Sequence, residues 1–192
     1  MKNLSISPPM TEEQARALRA GDNVSITGTI YTGRDTAHRR MIDLLAAGKD
    51  LPFDIEGQII YYVGPSPAPP DRPCGSAGPT TSGRMDPFAP ELMRLGLRGM
   101  IGKGKRSAGV VEAMREHGAV YFGAVGGAAA LIAGCVESVE TVAWPELGPE
   151  AVFRFQVRRF PAIVVIDSQG TSLYETEPPR YRTKLAQGDE AP

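Results

Sequence analysis

The sequence predicts an α/β domain with mixed sheets, and three observations lead to this class. Segments with the composition of strands occur near both ends of the chain, and strand–helix units occupy its middle. The 192 residues suit one domain, and a hydrophobic fraction of 42% is enough to form its core. The 22 glycines and 17 prolines exceed ordinary usage, so the loops between these elements are expected to be elaborate.

The first part of the chain predicts a strand between two helices. A threonine cap followed by two glutamates predicts a short helix over 11–19. Apolar residues alternate over 23–32 and predict a strand. Apolar residues at helical spacing then predict a helix over 37–47. Arg34 and Asp35 therefore lie at a strand-to-helix junction, where rigid elements often position functional groups.

The middle of the chain predicts two further strand–helix units. A short buried strand over 59–63 leads into a Gly/Pro-rich segment over 64–70, which we expect to be a long surface loop. A helix follows over 88–95. A short strand then ends in the glycine-rich basic turn 99–107, and the next helix runs from this turn to Gly118.

The last part predicts several strands and a helix of small residues. The strands are expected over 120–123, 139–143, 152–157 and 161–167, and the helix over 126–134. From residue 176 onward the chain is polar, charged or proline. We therefore expect a single domain over residues 1–175 and a loosely held polar tail over residues 176–192.

Charge and cysteine content exclude several classes of function. A formal net charge of −1 gives no basic excess for nucleic acid. No apolar run approaches membrane-spanning length and the start of the chain has no hydrophobic signal core, so we expect a cytoplasmic protein. Cys74 and Cys135 are too few for a disulfide scaffold, or to hold a zinc ion or an iron–sulfur cluster unaided. Cys74 could be reactive, although packing or chance explains both cysteines more simply.

The segment 77–86 is the main candidate for a binding site. It contains a Gly-Pro turn, three small hydroxyl residues including Thr80, and the fixed cation of Arg84. Exposed N–H groups at the start of a helix favour an anion, so a carboxylate or phosphate could bind there. The alternative is a capped helix with Arg84 in water. If the segment is helical, one turn presents Thr80 and Arg84 to the same ligand.

Two other segments offer weaker candidates. Asp35 could simply cap its helix while Arg34 is solvated, and His38 is more often a packing residue than a ligand. Glycines on both sides of Lys103 would let it enter a crowded site, whereas Lys105 and Arg106 could equally be surface charge. The glycine pair 126–127 could bind an anion but is more simply steric.

Together these motifs resemble the C-terminal, or β-subunit, region of the iron–sulfur class I fumarases and L-tartrate dehydratases. The most specific is Pro79-Thr80-Thr81-Ser82-Gly83-Arg84-Met85-Asp86. The matching segments, in the order of the family, are 27–29, 33–40, 78–86, 103–107, 126–129, 144–148 and 160–162. The resemblance covers roughly residues 5–175 and implies a swivelling β/β/α domain.

The resemblance also implies half of a hydro-lyase. In that family a [4Fe–4S] cluster is held by three cysteines of the other region, one iron stays open to substrate, and this chain has no three-cysteine set. The resemblance therefore implies a partner α-subunit that ligates the cluster, a hetero-oligomer, and no activity from this chain alone. Gly83 and the segments 105–107 and 126–129 look more like the fumarases than the tartrate enzymes. The resemblance therefore favours fumarate and L-malate over L-tartrate as substrate. A non-catalytic dicarboxylate-binding or assembly module stays open as the alternative.

The family pattern implies a role for each candidate residue. Arg34 and Arg84 would bind carboxylate, and Lys103 would supply a further charge for the dianion. Thr80 matches the threonine proposed to take the C3 proton of the substrate. Because a free hydroxyl is a very poor base, this role requires activation by a cation or a proton relay through the partner.

Overall fold

The computed structural model of the chain describes residues 3–124 and 129–186. Its elements, in order, are β1 (Asn3–Ile6), α1 (Glu12–Ala17), β2 (Asn23–Thr32), α2 (Asp35–Ala46), β3 (Ile59–Tyr61), a 3₁₀ turn (Ser82–Met85), α3 (Ala89–Arg94), β4 (Gly99–Gly102), α4 (Ala108–His117), β5 (Val120–Gly123), α5 (Ala129–Ala133), β6 (Val136–Ala143), a second 3₁₀ segment (Pro145–Glu150), β7 (Val152–Ile166) and α6 (Leu173–Ala186). The predicted α/β class is confirmed.

Five of the strands close into a barrel-like ring. β2, β3, β4 and β5 are neighbours in that order and run parallel. β7 runs antiparallel to both β5 and β2 and so closes the ring. β1 extends the sheet beside β2, and β6 pairs antiparallel with β7. The sheet is therefore mixed, as predicted, and the carboxyl ends of the four parallel strands of the ring share one edge.

The core has two layers because side chains alternate along each strand. Tyr61 and Phe122 belong to a cluster that also takes apolar residues from β2, β4 and β7 and fills the ring. Tyr62 and Tyr121 belong to a second cluster, in which residues of α2, α3 and α4 pack against the outside. Strands covered on both faces read as continuous apolar runs, which is why β3 was predicted from composition alone.

The structure departs from two of the predicted elements. The strands predicted over 152–157 and 161–167 are one 15-residue strand, β7. Arg159, with φ 52°, and Pro161, which lacks an N–H, lie in its middle and explain the apparent break. The segment from residue 176, predicted as a loosely held polar tail, is helical as far as Ala186, where α6 ends.

Other parts of the predicted organisation stay predictions. α6 is mostly exposed where its side chains are described, and residues 187–192 lie outside the described part of the chain. The division into a domain over 1–175 and a polar tail over 176–192 is therefore still a hypothesis. Across residues 3–124 and 129–186, no helix is long and apolar enough to cross a bilayer.

Candidate active site

The segment 77–86 lies across the carboxyl ends of the parallel strands. Pro79 bridges Val63 just beyond β3, and Thr81 bridges Lys103 just beyond β4. The amide of Thr80 donates to the carbonyl of Tyr62 over 2.8 Å, and the amide of Lys103 donates to the carbonyl of Thr80 over 3.3 Å. Thr80 and Lys103 are therefore neighbours at this edge of the sheet.

The two candidate arginines lie at the same edge. Arg34 lies two residues after the end of β2, and its neighbour Asp35 forms an ion pair with Arg84, whose Nη2 lies 2.8 Å from Oδ2 of Asp35. Crevices at the carboxyl ends of parallel strands are where α/β sheets commonly bind ligands. The structure thus brings together Thr80, Arg34, Arg84 and Lys103, and their catalytic and binding roles stay predictions.

The local geometry of the segment differs from the prediction. Thr80 and Thr81 are held at the ends of β3 and β4, and the 3₁₀ turn begins only at Ser82 with Thr81 as its cap. Thr80 therefore lies outside the turn that carries Arg84, and the expectation of one helical turn presenting both residues was wrong. The pairing with two strand ends overrides the local preference for a helix.

The side chains of Thr80 and Lys103 have no partner among the residues that the structure describes. Across the described residues, neither the Thr80 hydroxyl nor the Lys103 ammonium forms a hydrogen bond or ion pair. Lys103 is exposed, and Thr80 is half-buried. Both groups are therefore open to a ligand, unlike the two arginines, each of which contacts a carboxylate.

His38 supports the junction that carries Arg34. Its ring is fully buried, and Nδ1 lies 2.8 Å from the carbonyl oxygen of Arg34. That contact assigns the proton to Nδ1. Burial lowers the pKa of His38 to about 4, so the ring is neutral at physiological pH. His38 is thus packed and hydrogen-bonded, as the sequence favours.

A buried ion pair fixes the far end of the segment. Nε of Arg106 lies 2.7 Å from Oδ1 of Asp86, and the other carboxylate oxygen accepts from the amide of Ser107 over 2.6 Å. The Arg106 side chain is 0% exposed, and its guanidinium lies over the rings of Tyr62 and Tyr121. The alternative that Arg106 is surface charge is wrong. This pair joins the Arg84 turn to the loop that carries Lys103.

Further hydroxyl groups reinforce this connection. Ser82 Oγ lies 2.9 Å from the Tyr121 hydroxyl, which donates to the carbonyl of Gly104 over 3.0 Å. The amide of Gly104 donates in turn to the Tyr174 hydroxyl of α6. Sequence reasoning missed Tyr121 and Tyr174, and it named Ser82 and Asp86 as members of the motif without finding their partners. The sequence did contain a signal for such contacts, which was the choice of tyrosine over phenylalanine in buried strands. A buried tyrosine hydroxyl needs a hydrogen-bond partner.

Gly102→Ala is expected to destabilise the protein by about 1–3 kcal/mol. An added Cβ would overlap Ser82 Oγ and lie 3.0 Å from Tyr62 Cδ2, so the 3₁₀ turn would have to move. Gly109→Ala is the control, because its Cβ would meet nothing within 4 Å and alanine favours the helix. Urea unfolding measures both. A Gly102→Ala protein as stable as the Gly109→Ala protein would contradict this packing.

The cysteines do not form a metal centre with other residues of the described segments. Cys74 is buried in the core cluster that fills the ring, and burial raises the pKa of its thiol, which makes it a poor nucleophile. Cys135 is partly buried near α5. Within residues 3–124 and 129–186, no three His, Cys, Asp or Glu residues are grouped to hold a metal ion. The residues present do not fit a [4Fe–4S] cluster. The candidate glycine pair 126–127 lies outside the described residues.

Comparison with known proteins places these motifs in one family. The sequence model described as the Fumarase C-terminus matches residues 1–177. A putative class I fumarate hydratase of Geobacillus stearothermophilus is 42% identical over 189 residues, covering 96% of this chain and 36% of that protein. The anaerobic class I fumarate hydratase of Escherichia coli strain K12 is 40% identical over 176 residues, covering 90% and 32%.

The share of a relative's length that this chain covers differs from one relative to another. The chain spans about a third of the length of the fumarate hydratases it matches. A putative L(+)-tartrate dehydratase subunit beta of Methanocaldococcus jannaschii is 39% identical over 182 residues, covering 92% of this chain and 93% of that protein. With its motifs in order and its family model matched over nearly the whole length, the chain belongs to the Fumarase C-terminus family.

Proposed function

We propose that this chain is the β-subunit of a [4Fe–4S]-dependent hydro-lyase that interconverts fumarate and L-malate. The proposal rests on one observation. The residues at one edge of the sheet include Thr80, Lys103, Arg34 and Arg84. Fumarate hydratases among the relatives support this choice of substrate. We infer that the cluster is held by a cysteine-bearing α-subunit, because the described residues do not fit it. The cytoplasm is the proposed location.

The proposed role of the cations is to bind the two carboxylates of the substrate. Fumarate and malate are dianions, so one cation is not enough. Arg34 and Arg84 each use part of the guanidinium on a protein carboxylate, and each retains N–H donors for a ligand. Lys103 adds an ammonium without a protein partner among the described residues. The three cations of the site outnumber the two protein carboxylates that pair with the arginines. The site therefore keeps a net positive charge, which favours binding of an anion.

The proposed role of Thr80 is to handle the C3 proton. Its hydroxyl has no partner among the described residues, so it can face the substrate. A free hydroxyl is a very poor base, so a nearby cation must favour the alkoxide. Lys103 is the cation that follows β4 at the same bridge. Relay of the proton through the partner subunit is the alternative route.

L-tartrate is the second candidate substrate. It is favoured by one observation, the Methanocaldococcus jannaschii relative, which this chain covers almost end to end. Tartrate dehydration would use the same cations, because tartrate is also a dianion. The two candidates differ only in the hydroxyl groups that the site must accept.

Anaerobic reconstitution of the complex tests the proposal. The full chain is mixed with a cysteine-bearing hydratase subunit from a neighbouring reading frame, the cluster is rebuilt, and turnover of fumarate, L-malate and L-tartrate is measured. We expect oxygen-sensitive hydration of fumarate from the mixture and none from this chain alone. Turnover of tartrate only would favour the second candidate. Tight malate binding by calorimetry without any turnover would overturn catalysis in favour of a dicarboxylate-binding module.

A further inference from the structure

The connection between β6 and β7 contacts α2 and Arg34, at the edge of the candidate site. It runs from Trp144 through the 3₁₀ segment Pro145–Glu150 to Ala151. Trp144 has φ 56° and ψ 53°, a left-handed conformation that is costly for a bulky residue. Gly148 also has a positive φ, of 57°. Such a conformation persists only where surrounding contacts hold it.

Two contacts with α2 hold the first half of this connection. The Arg40 guanidinium pairs with the Glu146 carboxylate and lies 5.7 Å from the centre of the Trp144 ring. Arg40 lies in the second turn of α2, away from the junction at Arg34. These contacts dock the connection on α2 without touching Arg34.

The second half of the connection ends in a carboxylate that contacts the start of α2. Glu150 Oε1 lies 3.0 Å from Nη2 of Arg34, and Oε2 accepts from the Thr36 hydroxyl over 2.7 Å. The side chains of Arg34 and Glu150 are 24% and 27% exposed. The carboxylate is thus held at both oxygens in a partly buried place, unlike a freely rotating surface pair.

Backbone just beyond the end of β3 completes the enclosure of Arg34. A Cβ added at Gly64 would lie 3.0 Å from Arg34 Nη1, 3.2 Å from Arg34 Cδ and 2.9 Å from the carbonyl oxygen of Pro149. The Arg34 side chain therefore runs directly across the Gly64 backbone, beside the residue that precedes Glu150. A glycine is needed at position 64 for this close approach.

We propose that Glu150 is a positioning residue, which fixes the Arg34 guanidinium so that its other N–H donors face a substrate carboxylate. The inference rests on the proposed function and adds to it a residue from a distant part of the chain. A free arginine side chain samples many rotamers, and ordering it on binding weakens affinity. Glu150, Thr36 and Gly64 impose that order before the substrate arrives.

The first test follows Arg34 itself and needs no activity. The Nε–H signal of Arg34 is observed by NMR in the full chain and assigned with Arg34→Lys. We expect Glu150→Ala to speed solvent exchange of this proton and to collapse its shift towards that of a disordered arginine. Glu146→Ala removes the other carboxylate of the same connection and is expected to leave the signal unchanged.

Glu150→Gln separates positioning from charge. Its amide oxygen can accept from Arg34 while its NH₂ donates to the Thr36 hydroxyl, so the signal of Arg34 is expected to stay ordered. Thermal unfolding of all three variants checks that they fold. An Arg34 signal that is the same in Glu150→Ala, Glu146→Ala and the wild type would overturn the inference, whatever the enzyme does.

Kinetics of the reconstituted complex give the second readout. Loss of one ordered charged contact corresponds to about a tenfold rise in KM, which we expect for Glu150→Ala with a smaller fall in kcat. Glu150→Gln is expected to recover most of the loss, and Glu146→Ala to stay near the wild type. Equal losses in Glu150→Ala and Glu146→Ala would mean a merely structural role. A wild-type complex without turnover would contradict the proposed function, while the NMR result would still decide the inference.

Discussion

Arg106→Ala is expected to lower the free energy of unfolding by about 3–5 kcal/mol, the usual cost of removing one partner from a buried ion pair. The Arg106 side chain is 0% exposed, and that of Asp86 is 13% exposed. Without the guanidinium, the amide of Ser107 is the one donor that the Asp86 carboxylate keeps among the described residues. The space between the Tyr62 and Tyr121 rings would also be left unfilled. Urea unfolding of the isolated chain measures the loss.

A matched surface arginine and a double variant make this test specific. Arg94 pairs with Glu91 on α3 but is 58% exposed, so Arg94→Ala is expected to cost far less. Asp86→Ala combined with Arg106→Ala removes both charges, and its cost should be well below the sum of the single costs. Equal stability of Arg106→Ala and Arg94→Ala, or strict additivity in the cycle, would contradict a coupled buried pair.

Regular elements with a clear period were predictable from the sequence. The alternation over Asn23–Thr32 gave a strand with the observed bounds, because one face of that strand fills the ring. The helix predicted over 37–47 begins two residues earlier, at Asp35. Local patterns report which face of an element is buried, and that information is present within a few turns of chain.

The contacts of the site were less predictable because they join distant segments. Arg106 stands between Lys105 and Ser107 and has the local context of a surface charge, yet Asp86 makes it a core residue. Glu150 follows a proline in an irregular segment, and no local period connects it with Arg34. Thr80 was expected on a helical turn, but pairing with two strand ends holds it extended. Only the topology of the sheet brings these partners together.

Arg84→Ala in the reconstituted complex is expected to lower kcat/KM by at least roughly 150-fold, or about 3 kcal/mol of transition-state stabilisation. The change removes one of the three cations that we propose bind the dianion. It also frees Asp35, whose carboxylate pairs with Arg84 at 2.8 Å, to repel the substrate. Steady-state rates with fumarate and with L-malate, after equal cluster loading, measure the effect.

Two further variants separate these contributions. Asp35→Asn in the Arg84→Ala background removes the freed carboxylate, so any recovery measures repulsion by Asp35. Arg84→Lys keeps the charge but not the planar pair of donors, and an intermediate rate is expected if both matter. Arg94→Ala, which also breaks an exposed arginine–carboxylate pair, should leave turnover unchanged. Near-normal turnover by Arg84→Ala would remove Arg84 from the substrate site. Since Arg84 and Thr80 belong to one continuous segment, it would also weaken the assignment of Thr80.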